Sequence, residues 1–344
     1  MADMKAKKKG QENSRWQRFI HADGVSVFFA MIVVAILFEI ILQVMRGGGG
    51  GLIFLTPANL ASILRQQLYV GIIAFGMTLV MITGEIDLSV GYQLTMLCSI
   101  CALFMIKTNN AFVGIVGTIG IGILCGFVNG WLVSYLRLNS FITTLGMSSV
   151  YSALALMVSA GTVLVIPNDC SPAFQWFGTA KFGPISILIV WFIIVAVVLG
   201  FILSRTVYGQ QMYIIGSNPI AAKFSGIHYK RNKLIAYMIV GACCGLAAVV
   251  MMANVKSSNP QSSSGTEMEV ILCVVLGGCA VTGGKGSVWG TIIGVLFYGV
   301  LNTGFTMMNL TEYMRWIIMG LIMVLVLSMD VLQERGVKLW KKKA

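Results

Sequence analysis

The sequence predicts an all-α, polytopic integral membrane protein of about ten transmembrane helices, with both termini in the cytoplasm. Three observations lead to this fold class. First, 57% of the 344 residues are hydrophobic and only 10% are charged, whereas a soluble domain has about 25% charged residues. Second, the apolar residues form long blocks, and a spanning helix needs about 20 of them. Third, Lys and Arg gather beside alternate blocks, as they do at the cytoplasmic face of a membrane.

The apolar blocks define the predicted spans in chain order. In lipid every backbone N–H and C=O must be bonded within its own segment, so blocks rich in Leu, Ile, Met and Ala are expected to be helices. The first block is too long for a cleaved signal peptide and is predicted to remain as an anchor. The eighth is short, so a broken or re-entrant segment is an alternative there. The spans are 25–45, 61–83, 90–106, 112–136, 141–160, 185–204, 234–254, 268–282, 288–306 and 313–332.

The distribution of basic residues predicts the orientation. With the N-terminus inside, 18 of the 24 Lys and Arg residues fall on the cytoplasmic side and six on the other. The chain then divides into a basic cytoplasmic tail over 1–24, a membrane domain over 25–332 and a second basic tail over 333–344. Juxtamembrane residues that face anionic lipid account for the net charge of +12, so no nucleic acid partner is expected.

Two polar, Gly-rich segments interrupt the apolar pattern, and each ends one span and starts another. We call residues 83–91 the first break and residues 276–290 the second break. Irregular backbone is tolerated in a membrane only where it lines a cavity or is buried in protein, and in transporters it commonly forms a substrate site or gate. Tight turns at the inner surface are the alternative. The second break is not a phosphate-binding loop, because Gly286 follows Lys285 where that motif requires Ser or Thr.

Ionisable and nucleophilic residues give no sign of covalent chemistry. Glu39 sits in mid-span, where a structural fixture is favoured over a proton relay. Cys98 and Cys101 have C-x-x-C spacing without a nearby His or a second pair, so no metal or cofactor is expected in this chain. The two histidines, His21 and His228, lie outside the spans, and a membrane enzyme is therefore not expected.

The longest inner connection, residues 204–233, carries a short helix signal. Asn218, or the Ser before it, can cap a helix that has Pro219 at its first position, and Gly226 provides the stop. The pattern predicts a two-turn surface helix over residues 219–225. Such a helix fits a groove on another protein, and an amphipathic helix lying on lipid is the alternative.

Four motifs, taken in order, resemble the membrane-spanning permease subunits of bacterial ABC-type sugar importers, the family of the ribose, xylose, arabinose and galactoside permeases. The resemblance covers residues 59–330. The family often has Pro where this chain has Ser140, and Arg-Gly where it has Ser152 and Ala153, so this chain is expected to differ in local helix geometry and in its sugar. The motifs are GMTLVMITGEIDLSVG at 76–91, GFVNG at 126–130 followed by FITTLG at 141–146, GSNPIAAKFSGI at 216–227, and VVLGG at 274–278 with GGKGS at 283–287.

The resemblance implies a division of labour in the inner (cytoplasmic) membrane of a bacterium. An extracytoplasmic sugar-binding protein would deliver a monosaccharide, and two permease subunits, identical or different, would form the path through the lipid. Separate cytoplasmic ABC ATPase subunits, which hold ATP and magnesium, would drive alternating access. A coupling segment over about 205–233 would dock on the ATPase. Its implied coupling residues are Gly216, Asn218, Pro219, Ala221, Ala222, Lys223, Ser225 and Gly226.

Polar residues at the breaks and in spans rich in small residues are the predicted substrate path. Interhelical hydrogen bonding is the alternative role for each of them. Loops 161–183 and 257–266 face outward and are predicted landing places for the binding protein. The competing function is a self-powered secondary carrier or a channel for a small polar solute. The predicted path residues are Asp87, Ser89, Asn129, Thr143, Thr144 and Asn302.

Overall fold

The computed structural model describes residues 25–47, 51–183, 185–262 and 265–334. The predicted tail 1–24 and all but the first two residues of the tail 333–344 lie outside the described residues. Within the described ranges helix predominates, and eight helices are long and apolar enough to cross a membrane. The all-α, multi-span fold class is confirmed, whereas the count of ten spans is not.

The helices are named in chain order. A π-helical turn, Val113–Gly117, leads into α4. Two short antiparallel strand pairs lie in the connections: β1 (Leu164–Val165) with β4 (Ser257–Ser258), and β2 (Lys181–Phe182) with β3 (Ile185–Ser186). The helices are α1 Val25–Met45, α2 Pro57–Ile82, α3 Val90–Thr108, α4 Thr118–Ser134, α5 Ser140–Ser159, α6 Pro172–Thr179, α7 Ile187–Arg205, α8 Val207–Ser217, α9 Pro219–Phe224, α10 Tyr229–Val255, α11 Thr266–Leu276, α12 Val288–Met307 and α13 Glu312–Glu334.

Local capping signals set several of the helix starts. The Thr56 hydroxyl accepts a hydrogen bond from the backbone N–H of Asn59 at the start of α2. The Asn139 side chain does the same at the start of α5, and Ser287 at the start of α12. Each cap satisfies one of the backbone N–H groups that a helix leaves unpaired in its first turn. The starts of α2, α5 and α12 are therefore specified by residues close to them in the sequence.

The predicted span 268–282 is wrong as a continuous helix. α11 has only 11 residues, which at 1.5 Å per residue is about 16 Å, roughly half of the hydrocarbon thickness of about 30 Å. Its carboxyl end is followed by an irregular segment in which Gly278 and Gly286 adopt positive φ angles of 85° and 141°. The structure therefore has the broken segment that was the alternative at this position.

The helices α2 and α10 run through the centre of the molecule, and small residues let α4 approach α10 closely. A Cβ atom on Gly122 would lie 2.3 Å from the carbonyl oxygen of Gly241, and one on Gly126 would lie 2.2 Å from that of Tyr237. Only glycine permits this backbone-to-backbone contact, which supplies dispersion energy where lipid removes the hydrophobic drive for helix association. The glycines of α4 therefore pack helices.

The connections fall into two groups, as alternating crossings require. On one side the first break, the second break and the end of α8 contact one another. On the other side β1 pairs with β4, and the Asn109 side chain accepts a hydrogen bond from the Ser171 backbone N–H at 2.7 Å. We call the first group the inner side and the second the outer side, following the basic-residue pattern. The two loops predicted to face outward, 161–183 and 257–266, are joined by the β1–β4 pair.

Glu39 fixes the loop that precedes α2. Its Oε1 atom accepts hydrogen bonds from the Gln43 side chain and the Ile53 N–H, each at 2.9 Å. Its Oε2 atom accepts from the N–H groups of Phe54 and Leu55 at 2.8 and 2.9 Å. Because backbone donors surround the carboxylate, Glu39 acts as the structural fixture that the sequence favoured.

Candidate functional site

The two Gly-rich breaks meet at the inner side. The Gly284 N–H donates a 2.8 Å hydrogen bond to the carbonyl oxygen of Ile82, the last residue of α2. Gly84, Gly283 and Gly284 have φ angles of +78°, +89° and +77°, and a Cβ atom on Gly283 would lie 2.7 Å from the Gly84 nitrogen. This conformation and this separation both require glycine. The end of α2 is thus joined directly to the segment that follows α11.

A buried hydrogen-bond network holds the first break against α4 and α5. The Asp87 Oδ1 atom accepts from the Ser89 N–H and hydroxyl, and its Oδ2 atom accepts from the Asn129 Nδ2 group at 3.2 Å. The Tyr151 hydroxyl donates to Asn129 Oδ1 at 2.9 Å. Asp87, Ser89 and Asn129 are wholly inaccessible to solvent. Three predicted path residues are therefore brought together, bonded to one another.

Two hydroxyl groups of α5 fix the backbone of Leu88. The Thr144 hydroxyl accepts from the Leu88 N–H at 3.0 Å, and the Ser148 hydroxyl donates to the Leu88 carbonyl oxygen at 3.3 Å. Thr143, one residue earlier, turns away and donates to the Asn139 carbonyl oxygen. The first break is thus attached to α5 through main-chain atoms, and its position depends on that of α5.

A cavity of about 440 Å³ lies next to Leu88, between α3, α5 and the start of α11. Its volume is within the range of about 300–1,000 Å³ that is usual for small-molecule sites. Its polar lining consists of one carboxylate and four hydroxyl side chains. Ser152 and Ala153, at which the chain departs from the resembled permeases, are both in its wall. The lining residues are Leu88, Tyr92, Leu145, Ser148, Ser149, Ser152, Ala153, Leu156, Glu267 and Met268.

None of the six predicted path residues is in that lining. Thr144 adjoins it through its bond to Leu88. Asn302 lies on α12, where its Oδ1 atom accepts a hydrogen bond from the Arg315 guanidinium at 3.3 Å. Sequence reasoning missed the lining serines, although three hydroxyls at 148, 149 and 152 within an apolar span form a polar stripe that would have indicated them.

The predicted surface helix is present as α9. The Asn218 Oδ1 atom accepts from the N–H groups of Ile220 and Ala221 at 3.1 and 3.0 Å, Pro219 takes the first helical position, and Gly226 follows with a φ of +75°. The other predicted coupling residues lie on or beside this helix. Ala221, Lys223 and Ser225 are exposed. Ala222 is wholly buried, so it packs α9 against the protein and is not part of the exposed face.

The sequence did not predict α8, the helix that carries α9. Its Tyr208 hydroxyl donates to the Asn232 carbonyl oxygen at 3.0 Å, and the Asn232 side chain donates to Gln211 at 2.7 Å. Burial raises the pKa of Tyr208, so its hydroxyl keeps the proton that it donates. These contacts attach α8 to the inner end of α10, where Lys233 also forms an ion pair with Glu85 of the first break.

The end of α8 contacts both breaks. A Cβ atom on Gly216 would lie 1.8 Å from the Ile82 carbonyl oxygen and 2.4 Å from the Gly284 nitrogen. One turn earlier, the Tyr213 hydroxyl donates to the Gly286 carbonyl oxygen at 2.7 Å. We call this meeting of Gly216, Ile82 and Gly284 the inner junction. It connects the exposed helix α9 to the segment that leads to the cavity.

The sequence of the chain matches a known protein family over most of its length. Residues 59–327 match the family described as branched-chain amino acid transport system / permease component. The chain belongs to this permease family. The match covers the breaks, the cavity wall, α8 and α9, and so includes the whole of the candidate site of the permease.

The permease is similar over most of its length to curated import permeases. It is 31% identical to the ribose import permease of Bacillus subtilis (strain 168) over 314 residues, which are 91% of this chain and 96% of that protein. It is 32% identical to the ribose import permease of Escherichia coli (strain K12) over 280 residues, 80% of this chain and 87% of that one. The fructose import permease of Rhizobium meliloti is 29% identical over 320 residues, with 91% and 87% covered. No solved structure matches the permease significantly.

These similarities confirm the resemblance to the sugar permeases of ABC importers. The permease is thus a component of a transport system, not an enzyme. Its several apolar helices make it a multi-pass membrane protein.

Proposed function

We propose that this permease forms the membrane path of an ATP-binding-cassette importer that moves a monosaccharide, a ribose-type pentose or a hexose, inward by alternating access. The observation that carries this proposal is the inner junction. It joins an exposed helix, suited to contact a partner, to two breaks, the first of which contributes Leu88 to a polar cavity. A path driven from outside the membrane domain needs such a connection.

The chemistry of the cavity favours a sugar over an amino acid. Its polar groups are the Glu267 carboxylate and the hydroxyls of Tyr92 and three serines. An amino acid would bring its own carboxylate, which is costly to desolvate without a cationic partner, and no Lys or Arg is among the lining residues that the structure describes. Sugar hydroxyls both donate and accept, and so match a wall of hydroxyls and one acceptor. The names of the relatives, ribose and fructose import permeases, agree with this choice.

The surface of α9 is the proposed docking site of a cytoplasmic ATPase subunit. Phe224 is 86% exposed and Ile220 is 69% exposed, so the helix presents two large apolar side chains beside Lys223. An amphipathic helix of this kind fits a groove on a partner. Motion of the ATPase would move α9 and α8, and the inner junction would pass the motion to both breaks. ATP and magnesium would be held by the ATPase, and none by this chain.

On the outer side the paired loops that carry β1 and β4 are the proposed landing place of a sugar-binding protein. The pairing gives two loops distant in sequence one common surface, on which Val163 and Val165 are more than half exposed. A second permease subunit, identical or different, would complete the path in the inner membrane of a bacterium. The remaining exposed apolar surface of the spans suits membrane lipid.

Reconstitution tests this proposal against a self-powered carrier or a channel. The permease is co-expressed with an ABC ATPase and a sugar-binding protein from the same genome, purified, and placed in vesicles with radiolabelled ribose, arabinose, fructose or allose. An ATPase that co-purifies, hydrolyses ATP faster when the loaded binding protein is added, and drives ATP-dependent uptake would support the importer. Sugar uptake by the permease alone in ATP-free vesicles would overturn it.

A further inference from the structure

One acidic side chain in the cavity wall, Glu267, differs from three other acids that the structure describes. Glu39 accepts from three backbone N–H groups, Asp87 accepts from Ser89 and Asn129, and Glu85 pairs with Lys233. The Oε2 atom of Glu267 is shielded from solvent, yet no hydrogen-bond partner for it lies among the residues that the structure describes. A shielded carboxylate oxygen without a donor is unfavourable, so Oε2 is available to a partner that enters the cavity.

The surroundings of Glu267 indicate the chemical class of that partner. The facing wall is contributed by α5, on which Ser148 and Ser152 are one helical turn apart and Ser149 lies beside them. Leu88 and Met268 close the cavity with apolar groups. A row of hydroxyl groups on one wall and a carboxylate on another, with apolar side chains between them, is complementary to a neutral polyhydroxylated molecule, whose C–H faces pack on the apolar groups.

Glu267 lies in the first turn of α11, the helix that ends where the second break begins. A molecule held by Glu267 and α5 would therefore bridge the two elements whose inner ends are tied, through Leu88 and through the second break, to the inner junction. Movement of the breaks would change the distance between the two walls.

We infer that Glu267 is a specificity-determining residue of the path, whose Oε2 atom accepts a hydrogen bond from a hydroxyl of the passing sugar while the serines of α5 contact its opposite side. This inference rests on the proposed import function and adds a sugar-contacting subsite within the permease itself. Discrimination between sugars would then occur in the membrane as well as at the binding protein.

The test uses the complete importer in vesicles and compares Glu267→Gln, Glu267→Asp and the control Glu312→Gln. Glu312 is an exposed glutamate at the start of α13 and has no part in the cavity. For each variant, uptake of the best labelled sugar and of its monodeoxy analogues is measured with the binding protein saturated, together with ATP hydrolysis. Loss of a hydrogen bond to a charged group lowers a binding constant about tenfold or more. Glu267→Gln is therefore expected to lower the sugar uptake per ATP hydrolysed about tenfold.

Selectivity distinguishes sugar contact from a structural role. In the wild type one or two monodeoxy analogues should be taken up several-fold less than the parent sugar, and Glu267→Gln should remove that difference, because the hydroxyl that was lost no longer has its acceptor. Glu267→Asp should keep part of both the uptake and the discrimination, and Glu312→Gln should match the wild type.

Two outcomes would contradict the inference, and they differ from failure of the import function. Unchanged uptake and unchanged discrimination in Glu267→Gln, with the wild type active, would overturn the role of Glu267 alone. Equal loss for every sugar and analogue, with the discrimination retained, would assign Glu267 a structural role. Absence of ATP-dependent uptake of any tested sugar by the wild type would overturn the proposed function and this subsite with it.

Discussion

At the scale of single residues, the Asp87 network links the first break to two helices through buried hydrogen bonds. Asp87 and Asn129 come from segments 42 residues apart, and Tyr151 from a third. Each polar atom in such a network is satisfied by another member, so removal of one member leaves the rest without partners. The network thus fixes the first break relative to α4 and α5.

Replacement of the central amide should destabilise the permease more than removal of the outermost hydroxyl. Asn129→Leu removes two donated hydrogen bonds and one accepted bond and leaves a buried carboxylate short of a donor, so the free energy of unfolding should fall by about 2 kcal/mol or more. Tyr151→Phe removes one hydroxyl, and the expected decrease is about 0.5–1.5 kcal/mol. Thermal or denaturant unfolding in detergent measures both. A larger loss for Tyr151→Phe would contradict this order.

At the scale of elements, the α4–α10 contact depends on the absence of side chains. Gly126→Ala places a Cβ atom 2.2 Å from the Tyr237 carbonyl oxygen, whereas a Cβ atom on Gly120 of the same helix meets nothing within 4 Å. Gly126→Ala should therefore separate the two helices and lower the thermal midpoint of the detergent-solubilised permease. Gly120→Ala is the matched control and should be neutral or stabilising, since Ala is the better helix former. Similar midpoints for the two variants would show that α4 and α10 do not pack so closely.

Elements whose signals are local were predictable from the sequence, and those set by distant contacts were not. Asn218, Pro219 and Gly226 specify the start and stop of α9 within ten residues, and the structure confirms them. The predicted span 268–282 failed because the turn after Leu276 is stabilised by tertiary contacts to α12, where a Cβ atom on Gly277 would lie 2.7 Å from Gly290. Apolar composition alone does not show where such a helix stops.

The candidate site shows the same limit. Sequence reasoning selected Asp87, Ser89 and Asn129 as polar residues of breaks and spans, but their mutual bonding could not be read from spacing. The cavity brings together Leu88, Ser148 and Glu267, which are 60 and 119 residues apart. No local pattern relates positions so distant, and only the packing of three helices does so.

At the scale of the whole molecule, the exposed face of α9 should determine assembly with the ATPase. Phe224→Glu replaces a side chain that is 86% exposed, so the fold should be retained while ATPase co-purification falls at least fivefold, because a charge replaces an apolar contact. Val165→Glu is the control: Val165 is 62% exposed but lies in the outer loop that carries β1, and its replacement should leave ATPase binding intact. Equal ATPase recovery with both variants would place the docking site elsewhere.

The inner junction should govern how ATP hydrolysis is converted into uptake. Gly216→Ala places a Cβ atom 1.8 Å from the Ile82 carbonyl oxygen, so α8 must move away from the breaks, whereas α9 keeps its own cap. The ATPase should still bind and hydrolyse ATP, and sugar uptake per ATP should fall several-fold. Gly320→Ala, at a position with nothing within 4 Å, is the control. Coupled uptake at the wild-type ratio in Gly216→Ala would remove the junction from the mechanism.

The inner junction also bears on the time course of transport. At Gly216 the nearest atoms of the other two segments are the Ile82 carbonyl oxygen and the Gly284 nitrogen, so this contact joins backbone to backbone and cannot take up a displacement by a change of rotamer. A rigid link passes on movement without delay, whereas a soft link would let one end relax before the other. Fluorescent reporters on α9 and beside Leu88 should therefore change with a single shared rate constant after ATP is mixed with the importer, and two resolved phases would mean that the link is soft.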